Sequence, residues 1–185
     1  MAWEISGYLL LKMKNKLRSS LWLAAICLLT IWVIFGYQYK ITYNHGNSME
    51  PTYQDGDFLI VERKERLGKE WVPDRYDHVI VSTTAWEKLS KRVIGLEGER
   101  IEIKHGKIWI DGKKHSDPFS RGDVIFYMEE PEIRATKPKE EWMFINPDVD
   151  IGLIPKGWVF IIGDNRNISW YGKVRIKDIK GLVIL

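Results

Sequence analysis

The chain has 185 residues, of which 45% are hydrophobic and 12% aromatic, and its formal net charge is +3. This length suits one moderate domain with an appendage, and the apolar content excludes a disordered chain. The positive charge is small and spread out, so we expect no nucleic-acid binding. Cys27 is the only cysteine, and the four histidines show no metal-ligand spacing. We therefore expect neither an intramolecular disulfide nor a metal site.

An uncharged apolar segment of seventeen residues runs from Leu21 to Tyr37. At about 1.5 Å rise per residue, a helix of this length spans about 26 Å, close to the ~30 Å hydrocarbon core of a bilayer. Aromatic residues that suit the membrane–water interface stand near its ends: Trp22, Trp32, Tyr37 and Tyr39. We therefore predict a transmembrane helix at residues 21–39 rather than a buried core helix.

Basic residues are concentrated before the apolar segment: Lys12, Lys14, Lys16 and Arg18. Glu4 is the only acid there, and after the segment Lys40 stands alone until Glu50. By the positive-inside rule, residues 1–20 form a cytoplasmic basic N-terminus and residues 40–185 an extracytoplasmic domain. A cleaved signal peptide has the same charge order, but no small-x-small site follows the segment. We expect an uncleaved, single-pass anchor in the cell membrane.

Short β-type segments separated by turn signals follow residue 40. The candidate strands are Phe58–Glu62, His78–Ser82, Lys91–Gly95, Arg100–Lys104, Lys107–Ile110, Val124–Tyr127, Trp158–Ile162 and Gly181–Leu185. Few segments show helical periodicity. We therefore predict a mainly β domain, an antiparallel sheet or β-barrel-like fold, preceded by one N-terminal transmembrane helix.

The stretch from residue 116 to residue 155 differs, because it holds five prolines and mixed charges. We predict a loop-rich elaboration of the β domain there. Within it, the group Trp142-Met143-Phe144 is either a satellite hydrophobic cluster or an exposed lip that touches lipid beside the anchor.

A serine and a lysine carry the main functional hypothesis. Ser48, in the segment NSMEPT, lies forty-three residues before Lys91. A serine hydroxyl becomes a nucleophile when a positioned base removes its proton, and a lysine amine serves as that base when it is neutral. Desolvation among apolar neighbours lowers a lysine pKa from its usual value of about 10.4. The two side chains would then form a Ser-Lys dyad, a variant of the serine triad.

Four segments carry a resemblance to a known family: SMEPTYQDGD (48–57), RYDHVIV (75–81), KRVIGLEGE (91–99) and GDNRNIS (163–169). They resemble, in this order, the serine box, the strand box, the lysine box and a third signature of bacterial type I signal peptidases (leader peptidases). The spacing and the single N-terminal anchor are similar to the family's short form. The resemblance spans roughly residues 21 to 173.

The resemblance implies a membrane-anchored serine endopeptidase that removes signal peptides from exported preproteins after a small-x-small motif, without metal or other cofactor. Ser48 would be the nucleophile and, through its amide, one oxyanion donor, and Lys91 would be the general base. Ser169 would orient the lysine amine, while Arg92 and Asp164 would form a structural ion pair near the site. The implied partners are signal peptides, bound extended along a strand edge, and membrane lipid.

The chain departs from the family's pattern at three places. Gly46 stands where some members have a hydroxyl that serves as a second oxyanion donor, and Glu97 stands where the family usually has proline. After Ser169 the family usually continues with x-Asp-Ser-Arg, whereas this chain has Trp-Tyr-Gly-Lys at 170–173. The last departure removes a carboxylate and an arginine expected to brace the wall of the site, but both dyad residues are retained.

Three alternatives stand beside this hypothesis. A histidine-based mechanism would use Asp77 and His78, but adjacent residues of a strand point to opposite faces, and His45 has no obvious acid partner. Self-cleaving repressors share the dyad but carry a DNA-binding helical module in place of the anchor. The third alternative is a non-catalytic membrane-anchored β-domain that binds exported chains without cutting them, which the departure at residues 170–173 favours.

Overall fold

The computed structural model describes residues 2–82, 88–125 and 148–185 of the chain. The chain divides into two compact units, Met1–Lys40 and Ile41–Leu185. Helix α1 spans Ala2–Gln38, and its segment Lys16–Gln38 is long and apolar enough to cross a membrane. The helix begins before the predicted anchor, and the first twenty residues contain no proline that would interrupt it.

Eleven strands are found in the described part of the chain. They are β1 (Tyr39–Tyr43), β2 (Phe58–Arg63), β3 (His78–Val81), β4 (Leu89–Gly95), β5 (Arg100–Lys104), β6 (Lys107–Ile110), β7 (Lys113–Lys114), β8 (Val149–Leu153), β9 (Trp158–Ile162), β10 (Tyr171–Arg175) and β11 (Ile179–Val183). A short helix α2 (Lys64–Leu67) follows β2, and a 3-10 helix (Ile176–Asp178) precedes β11.

The strands form a seven-stranded sheet in the order β1-β2-β11-β3-β4-β9-β10 and a four-stranded sheet in the order β7-β6-β5-β8. At the centre of the larger sheet, β4 pairs antiparallel with β3 on one side and with β9 on the other. The fold is therefore mainly β and antiparallel with one N-terminal apolar helix, as predicted.

The core lies on both faces of the larger sheet. Because side chains alternate along a strand, β3, β4 and β9 bury Val79, Val93 and Ile161 on one face. Neighbouring residues on β4 and β9, Ile94 and Ile162, face the other way and pack with residues of β5 in the smaller sheet. Burial on both faces fixes β4 and β9, and with β9 the start of the segment that follows it at residue 163.

Seven predicted strands correspond to β2, β3, β4, β5, β6, β9 and β11, with ends that differ by two residues or fewer. The prediction for Val124–Tyr127 is wrong at its start, since residues 124 and 125 belong to no strand, and its end lies outside the described residues. Strands β1, β7, β8 and β10 are not among the predicted ones. Strand β8 falls in the stretch 116–155, and the group at 142–144 lies outside the described residues.

Candidate active site

Ser48 lies in a tight turn between β1 and β2, at residues 47–52, which we call the serine turn. The amide of Glu50 donates to the carbonyl of Asn47 at 3.3 Å, and the amide of Tyr53 donates to the carbonyl of Met49 at 3.0 Å. Met49 is fully buried, whereas Ser48 is half-buried. The buried methionine anchors the turn in the protein, so that the neighbouring serine occupies a defined position.

The segment that follows β9 packs against the backbone of the serine turn. The amide of Asn165 donates to the carbonyl of Ser48 at 3.0 Å, and its Nδ2 donates to the carbonyl of Asn47 at 3.3 Å. A Cβ at Gly163 would lie 2.1 Å from the carbonyl oxygen of Ser48, which is far inside van der Waals contact. The close approach of these two backbones therefore requires glycine at 163.

Lys91 lies in β4 on the face that buries Val79, its partner in β3, and Val93. It is only 4% exposed, and its Nζ lies 2.6 Å from the Oγ of Ser48. Burial lowers the pKa of Lys91 to about 8, although the carboxylate of Asp164 acts in the opposite direction. With this pKa, about a tenth of the amine is neutral at pH 7, compared with less than about a thousandth for an exposed lysine.

Arg92 leaves β4 on the opposite face and forms a buried ion pair with Asp164. Its Nε donates to Oδ1 at 2.7 Å and its Nη2 donates to Oδ2 at 2.6 Å, while the two side chains are 5% and 0% exposed. The ring of Phe119 covers the guanidinium, with its centroid 3.8 Å from Cζ. The hydroxyl of Thr52 also donates to Oδ2, at 2.6 Å. This carboxylate is therefore shared between the lysine strand and the serine turn.

Ser169 is buried next to Gly163. Its hydroxyl accepts from the amide of Gly163 at 2.6 Å and donates to the carbonyl of Trp170 at 2.8 Å. Both of these hydrogen bonds are made with the backbone, and they place the hydroxyl beside the segment that supports Ser48. The predicted role of Ser169 in orienting the lysine amine stays a prediction.

His78 is buried in β3, with its Nε2 2.6 Å from the Oγ of Ser90. Burial, with the charges of Arg92 and Lys91, lowers the pKa of this imidazole to about 3. The Asp77 carboxylate accepts from the amide of Asp74 at 2.9 Å rather than from the imidazole. A neutral histidine whose partner is Ser90 does not make the contacts that a Ser-His-Asp mechanism requires.

The residues at the family departures are built into the fold. Glu97 accepts from the amide of Gly157 at 2.8 Å. The ring of Trp170 lies over Gly172, where a Cβ would be 2.7 Å from it, and Lys173 donates through Nζ to a carbonyl of β8 at 3.0 Å. Strand β10 therefore has its own packing in place of the carboxylate and arginine that the family usually carries there.

Sequence reasoning missed two further contributions to the site. The first is the hydroxyl of Thr52, which stands in the NSMEPT segment but was given no role there, and which donates to Asp164. The buried ion pair between Arg166 and Asp117 joins the third signature to the segment after β7, and both side chains are almost fully buried. Arg166 stands in the GDNRNIS motif, but nothing in the sequence points to its partner forty-nine residues away.

A serine hydroxyl within hydrogen-bonding distance of a desolvated lysine amine is the arrangement of a serine hydrolase with lysine as its base. In the part of the chain that the structure describes, no group of three or more His, Cys, Asp or Glu side chains is placed to hold a metal ion.

Comparisons with known proteins agree with this class. Residues 17–184 match the family model described as signal peptidase, peptidase S26. The chain is 30% identical over 173 residues to a signal peptidase I of Bacillus caldolyticus, which covers 88% of this chain and 85% of that relative. It is 30% identical over 155 residues to signal peptidase I V of Bacillus subtilis (strain 168), which covers 78% of this chain and 82% of the relative.

A crystal structure of a signal peptidase I from Enterococcus faecalis V583 is similar at 22% identity and a TM-score of 0.44, over 60% of this chain and 97% of that one. On the match of the family model and the two Bacillus sequences, the chain belongs to the signal peptidase family, peptidase family S26. Membership confirms the predicted enzyme class, a serine endopeptidase of signal peptidase I type. Together with the apolar helix α1, it indicates a membrane-anchored protein.

Proposed function

We propose that this chain cleaves signal peptides from exported preproteins with Ser48 as nucleophile and Lys91 as general base. The observation that carries the proposal is the 2.6 Å separation between Nζ and Oγ, made by a lysine that is 4% exposed. Because desolvation lowers the pKa of this amine to about 8, a neutral base is available near physiological pH.

In the first step, the neutral amine of Lys91 takes the hydroxyl proton while Oγ of Ser48 attacks the carbonyl carbon of the scissile bond. The negative charge that develops on the substrate oxygen is stabilised by the amide N–H of Ser48. The ammonium of Lys91 then gives its proton to the departing amine, and the signal peptide remains as an ester on Oγ. Lys91, neutral again, takes a proton from water as the water oxygen attacks the carbonyl carbon of the ester. The bond from this carbon to Oγ then breaks, Lys91 returns the proton to Oγ, and the signal peptide leaves with a free carboxyl group.

The remaining predicted site residues would support these steps without contacting the substrate. Asp164 neutralises Arg92 on the opposite face of β4, so the lysine amine does not lie beside an uncompensated guanidinium. Ser169 binds the amide of Gly163 and so holds the segment against which the serine turn packs. In this mechanism Ser169 also orients the amine of Lys91. The proposed steps need neither a metal nor a cofactor.

The charge distribution around α1 supports a single-pass orientation with residues 1–20 in the cytoplasm and residues 40–185 outside. In this orientation the serine turn follows the anchor by about ten residues, and the substrate partner is the signal peptide of an exported preprotein at the outer surface of the lipid. The acyl chains and headgroups of the membrane are then the second partner. Nucleic acid has no part in this function.

Alanine substitutions at the two dyad positions test the proposal. We expect Ser48→Ala and Lys91→Ala each to lower the rate of preprotein cleavage by about 10³-fold or more, as in other serine hydrolases. Cleavage of a preprotein with an Ala-x-Ala site is measured with the full-length protein in detergent micelles. A thermal melt of each variant checks that it is folded. Ser120→Ala and Lys156→Ala, at exposed positions, are the matched controls.

Substantial cleavage by Lys91→Ala would show that lysine is not the base. If the unsubstituted protein bound a preprotein but released no shortened product, the chain would be a binding domain instead of an enzyme.

A further inference from the structure

Thr52 connects the serine turn to the lysine strand through one buried carboxylate. Its Oγ1 donates to Oδ2 of Asp164 at 2.6 Å, and the same oxygen accepts from Nη2 of Arg92 at 2.6 Å. Arg92 directly follows Lys91 in β4, and Thr52 lies four residues after Ser48. The hydrogen bond thus links the two segments that carry the dyad, which are separated by forty-three residues along the chain.

The serine turn is held at both ends by two consecutive residues. At its beginning, Asn165 binds the carbonyl groups of Asn47 and Ser48. At its end, Thr52 binds Asp164. Asp164 is fully buried and is itself fixed by Arg92, so it offers Thr52 a rigid acceptor. Hydrogen bonds to a carboxylate are also stronger than those between neutral groups.

We propose that Thr52 is a positioning residue, whose hydroxyl fixes the distance between Oγ of Ser48 and Nζ of Lys91. The inference rests on the proposed dyad and adds a residue that acts on its geometry. Without the hydroxyl the end of the turn loses its bond to Asp164, and Oγ of Ser48 can shift away from the amine although Met49 and Asn165 still hold the rest of the turn. Catalytic rates respond steeply to such movement, since a displacement of about 1 Å costs about 10²-fold.

The test compares full-length Thr52→Val with Thr52→Ser. Valine has nearly the shape of threonine but no hydroxyl, so we expect kcat to fall by about 10- to 100-fold. The Michaelis constant KM for a preprotein should change by less than about threefold, because Thr52 contacts no substrate in this proposal. Serine keeps the donor and should restore kcat to within about threefold of the unsubstituted enzyme. If the valine variant fails to fold, Thr52→Ala replaces it.

The pH profile separates positioning from an electrostatic effect. The ion pair between Asp164 and Arg92 does not involve the hydroxyl that Thr52→Val removes, so the acid limb of kcat/KM should keep its midpoint. Thr42→Val, a threonine of β1 outside the site, is the matched control and should leave kcat unchanged.

An unchanged kcat in Thr52→Val, equal losses in the valine and serine variants, or a displaced acid limb would each overturn the proposal. Ser48→Ala and Lys91→Ala are measured beside them. If those two variants are inactive while Thr52→Val is fully active, the positioning role fails and the dyad stands. If Lys91→Ala is active, the dyad itself fails.

Discussion

Lys91 and Arg92 are neighbours in β4 whose side chains leave the strand on opposite faces. The lysine amine lies 2.6 Å from Ser48 Oγ, and the guanidinium is neutralised by Asp164 on the other side. The strand thereby holds the lysine amine and the paired guanidinium on different faces of the sheet.

The pH dependence of cleavage should follow the ionisation of Lys91. The base is active when neutral, and burial lowers its pKa to about 8, so kcat/KM should rise with pH through a midpoint near that value. Assays from about pH 6 to about pH 10 measure the profile. Lys91→Arg, which stays charged throughout this range, should be inactive at every pH. A midpoint near the ordinary pKa of histidine would contradict the assignment.

Asp164→Asn should move the acid limb of that profile to lower pH. The carboxylate raises the pKa of Lys91, and its removal also leaves the charge of Arg92 uncompensated, so both changes favour the neutral amine. Breaking this buried pair should also lower the free energy of unfolding by about 3 kcal/mol.

The matched control is Asp150→Asn, which breaks an ion pair with Arg100 whose side chains are 51% and 52% exposed. Exposed pairs contribute little, so the control should change the free energy of unfolding by less than about 1 kcal/mol and leave the pH profile in place. A shift of the acid limb to higher pH in Asp164→Asn would contradict the electrostatic account.

Gly163→Ala should lower kcat by about 10²-fold. The added Cβ would lie 2.1 Å from the carbonyl oxygen of Ser48, so the serine backbone would have to move. A steady-state assay and a thermal melt separate this effect from unfolding. Gly36→Ala is the control, since a Cβ there meets nothing within 4 Å. Full activity of Gly163→Ala would show that the backbone contact does not position the serine.

His78→Leu should keep most of the activity. The imidazole is neutral above about pH 3, and its described contacts are with Ser90 and the ring of Tyr53, not with the dyad. We expect kcat within about fivefold of the unsubstituted enzyme, as for other substitutions that remove no transition-state contact. Loss of cleavage in a folded His78→Leu variant, with retention in Lys91→Ala, would reverse the assignment of the base.

The strands that the sequence predicted are those with strong local signals. Trp158–Ile162 and Arg100–Lys104 are rich in branched apolar residues or alternate with period two, and both were found at the predicted bounds. Strands β1 and β10 were missed for local reasons. Tyr39, the first residue of β1, suggested the membrane–water interface at the end of the anchor. Strand β10 lies at the edge of the sheet and contains glycine and charged residues, which are uncommon in strands.

The two residues of the proposed dyad could be singled out from the sequence because each stands in a segment with a family resemblance. The contacts that hold them could not. The hydrogen bond from Thr52 to Asp164 joins residues 112 apart, and a threonine in a loop motif carries no local sign of its partner. The approach of Gly163 to Ser48 depends likewise on how β9 ends beside the serine turn, which only the assembled sheet determines.

A direct titration of Lys91 tests the central claim most sharply. Full-length enzyme labelled with ¹³C at the lysine side chains is titrated in detergent micelles by NMR, and the Lys91 signal is identified by its absence from Lys91→Met. We predict that this signal titrates near pH 8, well below the ordinary lysine value of 10.5. A Lys91 signal that titrates at or near 10.5 would contradict the account.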